Sequence, residues 1–332
     1  MMKPIRVAVV GLGLGTQRAN GYLQNDNALL CAVCDADLDR LKDFQSQWPG
    51  VRGYSNYQLM LETEELDLVN VSTPDWMHFQ HVKLALQLDC HVLVEKPMVR
   101  NLDEAKMMID MVETSGKTLM VGQNYRRLPV AVQAKRIVED NRLGPIFYLS
   151  TEELVNKRKQ FSQSTWYASA EHPRSALLGT GIHGVDMLRW LMGEVEEAFA
   201  YSNHIAYPEF PTDDFTLAIY RFANGAIGQV SVAYSAILPT SDSGFKLRLH
   251  GAKGSQKQEN IYLISDGKDS WQRGQESLPQ NTFCQEVDYL LTCLESYQRP
   301  EVDVYEGARN IAACLAGVEA ARTGKVVKPE RF

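Results

Sequence analysis

Residues 7–15 read Val-Ala-Val-Val-Gly-Leu-Gly-Leu-Gly, a short apolar run that breaks into alternating glycines. A second apolar run, Ala28 to Cys34, ends on Asp35, twenty residues after Gly15. This order predicts a strand, a tight glycine turn, a helix and a second strand closed by a carboxylate. Gly11 allows a sharp turn, and Gly13 lets the backbone approach a pyrophosphate at a helix N-terminus. Asp35 is placed to accept a hydrogen bond from a ribose 2′-hydroxyl. Glycine-rich turns are common, but one set between a strand and a helix, with an acid at this spacing, specifies a dinucleotide site. Gly11, Gly13, Leu14, Gly15 and Asp35 are therefore expected to bind cofactor. The third glycine of a GxGxxG pattern is due at position 16, which is Thr16, with Gly15 one place early. That position serves close helix–strand packing, which a small residue tolerates.

Working outward, 332 residues exceed one ordinary core and imply two domains. Apolar content of 45% and charged content of 23% are those of a globular chain. A net charge of −7 argues against nucleic acid or an anionic membrane as partner. The compact basic run Lys157-Arg158-Lys159 has no aromatic platform and reads as a solvated loop. No apolar stretch approaches the ~20 residues that span a bilayer. Lys3 and Arg6 lead straight into a strand, not a signal peptide, so a cytoplasmic location is expected. Cys31 and Cys34 fall on opposite faces of a strand, which fits buried thiols rather than a metal or redox pair. His78 and His81 lack an evident third ligand, so no metal is expected.

Up to Tyr125, strand-like and helix-like runs alternate. Ile5–Val10, Ala28–Cys34, Leu66–Val71, His91–Val94 and Thr118–Val121 are short, β-branched-rich and nearly continuous, like strands buried on both faces of a parallel sheet. Between them lie amphipathic stretches at Leu38–Trp48, Phe79–Leu88 and Leu102–Thr114. The last opens on Asn101 with Glu104 three residues on, close to a capping box. The predicted fold is α/β: residues 1–125 form a doubly wound NAD(P)-binding Rossmann domain. Residues 126–332 form an α+β domain with an open mixed or antiparallel sheet. Its strands are expected at Ile146–Val155, Phe215–Phe222, Ala226–Tyr234 and Phe245–His250, and Asn224-Gly225 marks a hairpin. Helices are expected at Pro129–Asp140, Gly181–Met192, Phe283–Tyr297 and Tyr305–Thr323.

Chemistry is expected where the first domain's strands end. Ser72-Thr73-Pro74 follows one of them, its hydroxyls available to a cofactor and its proline fixing the turn. Glu95-Lys96-Pro97 follows another. Charges at the end of a buried strand are costly unless used or paired, which suggests an amine positioned to donate to a substrate oxygen.

These residues together resemble the Gfo/Idh/MocA oxidoreductases, the family of glucose–fructose oxidoreductase and inositol dehydrogenase. The resemblance covers nearly the whole chain. It rests on Val-Gly-Leu-Gly (10–13), Val-Cys-Asp (33–35), Ser-Thr-Pro with His78 four residues on, and Glu95-Lys96-Pro97. Asn124-Tyr125-Arg126-Arg127 with Pro129, then Gly181-Ile182-His183 with Asp186, Trp190 and Gly193, complete it.

The resemblance implies NAD as cofactor, with NADP disfavoured by Asp35, and a sugar, cyclitol or related polyol as substrate. It implies Lys96 as the group that hydrogen-bonds the reacting hydroxyl and His183 as proton acceptor, a role suited to an imidazole with an ordinary pKa near ~6.5. Ser72, Thr73, Pro74, His78, Glu95 and Asn124 join the expected cofactor site, and Thr180, Asp186 and Arg127 the substrate site. It further implies a homodimer or homotetramer, assembled on the open sheet face. One departure stands out. Inositol-dehydrogenase-like members carry an aspartate four residues before the histidine, where this chain has Gly179, so His183 lacks its usual carboxylate. That gap keeps a second function in play, a regulatory protein that senses nucleotide without turnover; a third reading is a glycosidase that uses NAD for transient oxidation.

Overall fold

The computed structural model describes residues 3–163, 165–274 and 281–332. They form two compact units, one of the described residues within Met1–Asn124 and Pro279–Ala308, the other of those within Tyr125–Leu278 and Arg309–Phe332.

In the first unit, β1 (Ile5–Val10), α1 (Gly15–Leu23), β2 (Ala28–Cys34), α2 (Leu38–Gln47), β3 (Arg52–Tyr54), α3 (Tyr57–Thr63) and β4 (Leu68–Val71) follow in order. Then come α4 (His78–Gln87), β5 (His91–Glu95), α5 (Leu102–Ser115) and β6 (Leu119–Gly122). The six strands are parallel and ordered β3-β2-β1-β4-β5-β6. The order reverses between β1 and β4, and in doubly wound sheets that point opens the ligand crevice at the strands' carboxyl ends. Asn101 caps α5, its side chain accepting from Glu104 N at 2.8 Å, as the sequence pattern predicted. The strand Arg52–Tyr54 was not foreseen: three residues are too short for a periodicity signal.

The second unit contains α6 (Pro129–Glu139), β7 (Ile146–Leu154), α7 (Arg158–Gln163), α8 (Ile182–Met192), β8 (Val195–Asn203), β9 (Phe215–Phe222), β10 (Ile227–Ala233) and β11 (Gly244–Gly251). The short strands β12 (Gly254–Lys257), β13 (Asn260–Leu263) and β14 (Gln272–Arg273) complete its sheet. The order is β14-β13-β12-β11-β7-β10-β9-β8, with β7 and β10 parallel and the other pairs antiparallel. Gly225, at φ +85°, turns the predicted hairpin between β9 and β10. Helix α8 packs against β7 and β10. The other face carries Tyr201, Ile219 and Ile227, which are 67%, 42% and 48% exposed. By register, Ile219 lies in one row with Gln229, Ser150 and Arg248. The exposed face is therefore mixed rather than uniformly apolar.

The predicted boundary near residue 125 lies at Asn124/Tyr125, but assigning all of 126–332 to the second domain requires correction. Helix α9 (Thr282–Glu295) belongs to the first unit: its Val287, Leu290 and Leu291 are buried in one cluster with Val7, Val9, Leu93 and Met120. A stripe of apolar residues at helical spacing shows that a helix is buried, not which core buries it. The last helix, α10 (Val304–Thr323), begins in the first unit and continues into the second. Among the described residues no helix is long and apolar enough to cross a membrane.

Candidate active site

The glycine turn after β1 divides its labour among three residues. Gly11 has φ +89°, and a Cβ there would lie 2.5 Å from Ser72 O and 2.8 Å from Thr73 N. Any side chain would strain the backbone and separate β1 from β4's exit. Gly15 opens α1, and a Cβ there would stand 3.0 Å from both Ser72 Cβ and Val9 Cγ1. This glycine, not position 16, makes the close helix–strand contact, which accounts for the displaced pattern. Thr16 instead donates its hydroxyl to Leu12 O at 2.6 Å. Gly13 differs from both: nothing lies within 4 Å of a Cβ built there. It sits at a helix N-terminus beside open space, the arrangement that admits a phosphate. Leu14, half exposed, precedes the helix. Gly13→Val should therefore fold with an unchanged melting temperature yet bind NADH at least about tenfold more weakly, whereas Gly11→Val should lower the melting temperature. Fluorescence titration and thermal denaturation of both variants check the contrast.

Asp35 is buried at the end of β2. Its Oδ2 accepts from Leu12 N at 2.6 Å and its Oδ1 from Asp37 N at 2.8 Å, so it braces the glycine turn. A carboxylate has about four lone-pair sites, which leaves acceptor capacity for a ribose hydroxyl. Arg40 Nη1 lies 3.3 Å from Asp35, and its Nη2 3.2 Å from Asp37. Arg18 is committed elsewhere, fully buried and ion-paired to Glu95 and, at 2.7 Å, to Glu286.

Several residues expected to touch cofactor also make hydrogen bonds inside this unit. The Glu95 carboxylate takes Arg18 and Lys96 N, so the buried-charge cost at the strand end is met by an ion pair, and Glu95 is a positioning residue. His78 is also a positioning residue. Its Nδ1 faces Pro97 O at 2.8 Å and its Nε2 faces Thr73 O at 2.9 Å, tying the Ser-Thr-Pro turn to the Glu-Lys-Pro turn. Burial pulls this imidazole below the ordinary histidine range, against opposing effects of Asp75, both carbonyls and Glu95. The Thr73 hydroxyl lies 3.1 Å from His81 Nδ1, and Ser72 Oγ accepts from Asn70 at 2.8 Å. Burial, with His78 alongside, drives His81 down to about 4, so its ring is neutral at physiological pH. Pro74 leads into a short 3₁₀ turn, Asp75–Met77. Asn124 donates to Thr282 Oγ1 at 2.9 Å and so anchors the start of α9. Spacing alone did not show these internal partners, which lie elsewhere along the chain. Lys96 follows β5 directly, and its bond to Pro97 is cis.

In the second unit, a single π-turn, Leu177–Gly181, runs into α8. π-Turns are rare and concentrate at functional sites. Thr180 lies half-buried within it, and His183 is buried in the first turn of α8. The His183 ring stacks on Tyr125, centroids 3.8 Å apart and planes within 8°. Tyr125 is itself fixed: its hydroxyl donates to Glu153 Oε1 at 2.8 Å, and Phe245 meets its edge. Burial first, then Glu153, raises the Tyr125 phenol's pKa and keeps it a neutral donor. Tyr125 and Glu153 are the residues sequence reasoning missed. Tyr125 stood within a quoted motif without a role, and Glu153 gave one signal, a carboxylate at an inward position of a strand.

Asp186, expected at the substrate, is held by side chains of its own unit. Asp186 is 1% exposed, and Arg126 grips it through Nε at 2.8 Å and Nη2 at 2.7 Å, with Asn310 Nδ2 at 2.6 Å. Arg127 lies half-buried at the end of the 3₁₀ turn Asn124–Arg127.

A nucleotide-type crevice in one unit and a buried, stacked histidine at a helix start in the other define an oxidoreductase. The chain belongs to the Gfo/Idh/MocA family: residues 5–123 match the "oxidoreductase family, NAD-binding Rossmann fold" and residues 131–257 the "GFO/IDH/MocA C-terminal domain". It is 23% identical to D-apiose dehydrogenase of Paraburkholderia graminis over 98% of this chain and 90% of that protein. Myo-inositol 2-dehydrogenase of Thermotoga maritima is 26% identical over 77% of this chain and 76% of its own length. The WlbA dehydrogenase of Bordetella pertussis, solved with NADH and UDP-GlcNAcA, superposes with a TM-score of 0.86 at 25% identity, covering 99% of this chain and 100% of that one.

Proposed function

We propose that this oxidoreductase oxidises a secondary hydroxyl of a sugar, cyclitol or related polyol with NAD, and that Lys96 and His183 act on that hydroxyl. The observation that carries the reading is the cradle at Gly13, open where a phosphate would lie and braced by Asp35 on one side and Ser72 on the other. The residues present fit a dinucleotide: Gly13 and the start of α1 for the pyrophosphate, Asp35 for the adenosine ribose. Bound NAD would accept the hydride from the carbinol carbon. His183 would take the hydroxyl proton, and the Lys96 amine would donate a hydrogen bond to the oxygen as it becomes a carbonyl. The stack on Tyr125 fixes the plane of the imidazole and supports its use as a base.

NAD is favoured over NADP because Asp35 would face a 2′-phosphate, a like-charge contact worth on the order of a few kcal/mol. Arg40 is already shared between Asp35 and Asp37, and Arg18 is buried, which supports the same preference. The substrate class follows the relatives, which are named for sugars and a cyclitol. Absorbance of reduced nicotinamide, followed over a panel of sugars and cyclitols, should show NADH formed in preference to NADPH. A chain that binds NADH but reduces no NAD with any of them would overturn the dehydrogenase reading, and equal use of NADP would overturn the cofactor preference.

The chain is also proposed to work in the cytoplasm, which suits its free cysteines, and to self-associate through the uncovered face of the second sheet. Tyr201, Ile219 and Ile227 would lose their exposure there. Light scattering at micromolar concentration should report a dimer or tetramer, and a particle of 37.4 kDa would overturn this assembly.

A further inference from the structure

Resting on the reading of His183 as the base, we propose that Glu153 is a positioning residue for the reaction, setting the His183 imidazole through Tyr125. A carboxylate on a strand thereby serves this histidine in a chain that has glycine at 179. Glu153 is a buried acid to which the chemistry above gives no task. It is 8% exposed near the end of β7, in register with Val232 of β10 on one side and Phe245 of β11 on the other. Thr151, two residues earlier, shares its face of the strand. That face is the one α8 lies on, because a Cβ at Gly184 would collide with Thr151 Oγ1. The glycine after His183 thus lets the first turn of α8 close onto the same side of β7 that carries Glu153.

Three contacts meet on one ring. The Tyr125 hydroxyl donates to Glu153 Oε1 at 2.8 Å, the Phe245 ring meets Tyr125 at 67° with centroids 5.0 Å apart, and His183 lies flat on Tyr125 at 3.8 Å. Glu153 and Phe245 are direct cross-strand neighbours, so one position of the ladder holds both the hydroxyl and the edge. A stack by itself is loosely directional and lets two rings slide and turn against each other. A hydrogen bond to a carboxylate is directional and about twice as strong as a neutral one. It pins the far end of the phenol, and the pinned ring is the surface on which the imidazole rests. Burial first, then Glu153, raises the phenol's pKa, so Tyr125 stays a donor while His183 gains and loses its proton. The anchor therefore persists through the cycle.

The test uses Tyr125→Phe, which keeps the ring and loses the hydrogen bond, Glu153→Ala, which loses the acceptor, and Glu153→Gln, which restores a neutral acceptor. With NAD and D-glucose, D-xylose or myo-inositol, the first two variants should lower kcat about tenfold at unchanged KM, the cost of a slightly misplaced base. Glu153→Gln should recover most of that loss. In a His183→Ala background the same changes should alter the residual rate by less than about twofold, since they act through the missing ring. The chain has seven histidines, so the ring-proton resonances of His183, identified by their loss in His183→Ala, can be followed by NMR without substrate. They should shift in Tyr125→Phe and Glu153→Ala and return toward the wild-type position in Glu153→Gln. Resonances that stay in place in every variant, or rate losses that persist undiminished without His183, would overturn the proposal and leave the base reading intact. A His183→Ala protein with wild-type turnover would overturn the base reading, and the resonances then decide by themselves whether Glu153 positions the ring.

Discussion

Lys96→Met and His183→Ala are each expected to lower turnover by about 10²–10⁴-fold, the usual effect of losing a positioned proton-transfer group, while NADH affinity stays at the wild-type value. Neither residue belongs to the glycine turn or to the Asp35 brace, so cofactor titration separates a lost chemical role from a lost binding site. The pH profiles should also separate the two. In the wild type, acid protonates the base and stops proton uptake, so activity falls on the acid side. His183→Ala removes that group, and the acid limb should flatten. Lys96→Met should keep the limb at a lower plateau. If both variants retain near-wild-type rates on a verified substrate, the pair is misassigned. If only His183→Ala stays active, proton transfer runs through Lys96.

The second large effect concerns stability. Arg18 is fully buried between Glu95 and Glu286, with Phe283 under its guanidinium at 5.0 Å. Removing one partner of a buried ion cluster strands the others, typically at a cost of about 3–5 kcal/mol. Arg18→Met leaves two carboxylates facing each other, and urea denaturation should show a lower midpoint with an unchanged slope. The deficit should depend on pH. Burial is the largest influence on Glu95 and pushes its pKa up, but Arg18, Lys96, the hydrogen bond to Arg18 and His78 together hold it below the ordinary value. A depressed folded-state pKa contributes stability that is present above the unfolded value, about 4.3, and is lost as pH falls through the folded one. The wild-type advantage over Arg18→Met should therefore be full at high pH and shrink as the pH falls toward and below about 4, because the variant's stranded carboxylates take up protons before the wild-type pair does. A difference that stays constant into that range would show that Arg18 stabilises by packing alone.

Much of the site was legible because its signals are local. Gly11, Gly13 and Asp35 could be read from spacing, since a turn, a helix start and a strand end are fixed by a few consecutive residues. His183 and Lys96 are proposed on the strength of their neighbours, Gly-Ile-His and Glu-Lys-Pro. The contacts that could not be read were those whose partners lie far along the chain. Asp186 looked like a polar residue on a helix near a histidine, and its commitment to Arg126 and Asn310 spans 60 and 124 residues. Asn124 meets Thr282 across 158 residues. Glu95 looked available until Arg18, 77 residues earlier, closed on it.

The sequence by itself determined the parallel sheet and the glycine turn of its dinucleotide-binding fold, because hydrophobic period and glycine placement are written in runs of under ten residues. Tertiary structure alone decided three things. Helix α9 joins the first unit because its apolar stripe fits the cluster around Val7 and Met120. The His183 ring stacks on Tyr125, which reaches it from 58 residues away. Gly179 is a glycine because Arg174 and Tyr234 fill the space beside it, and packing of that kind depends on which side chains the folded chain brings to one point.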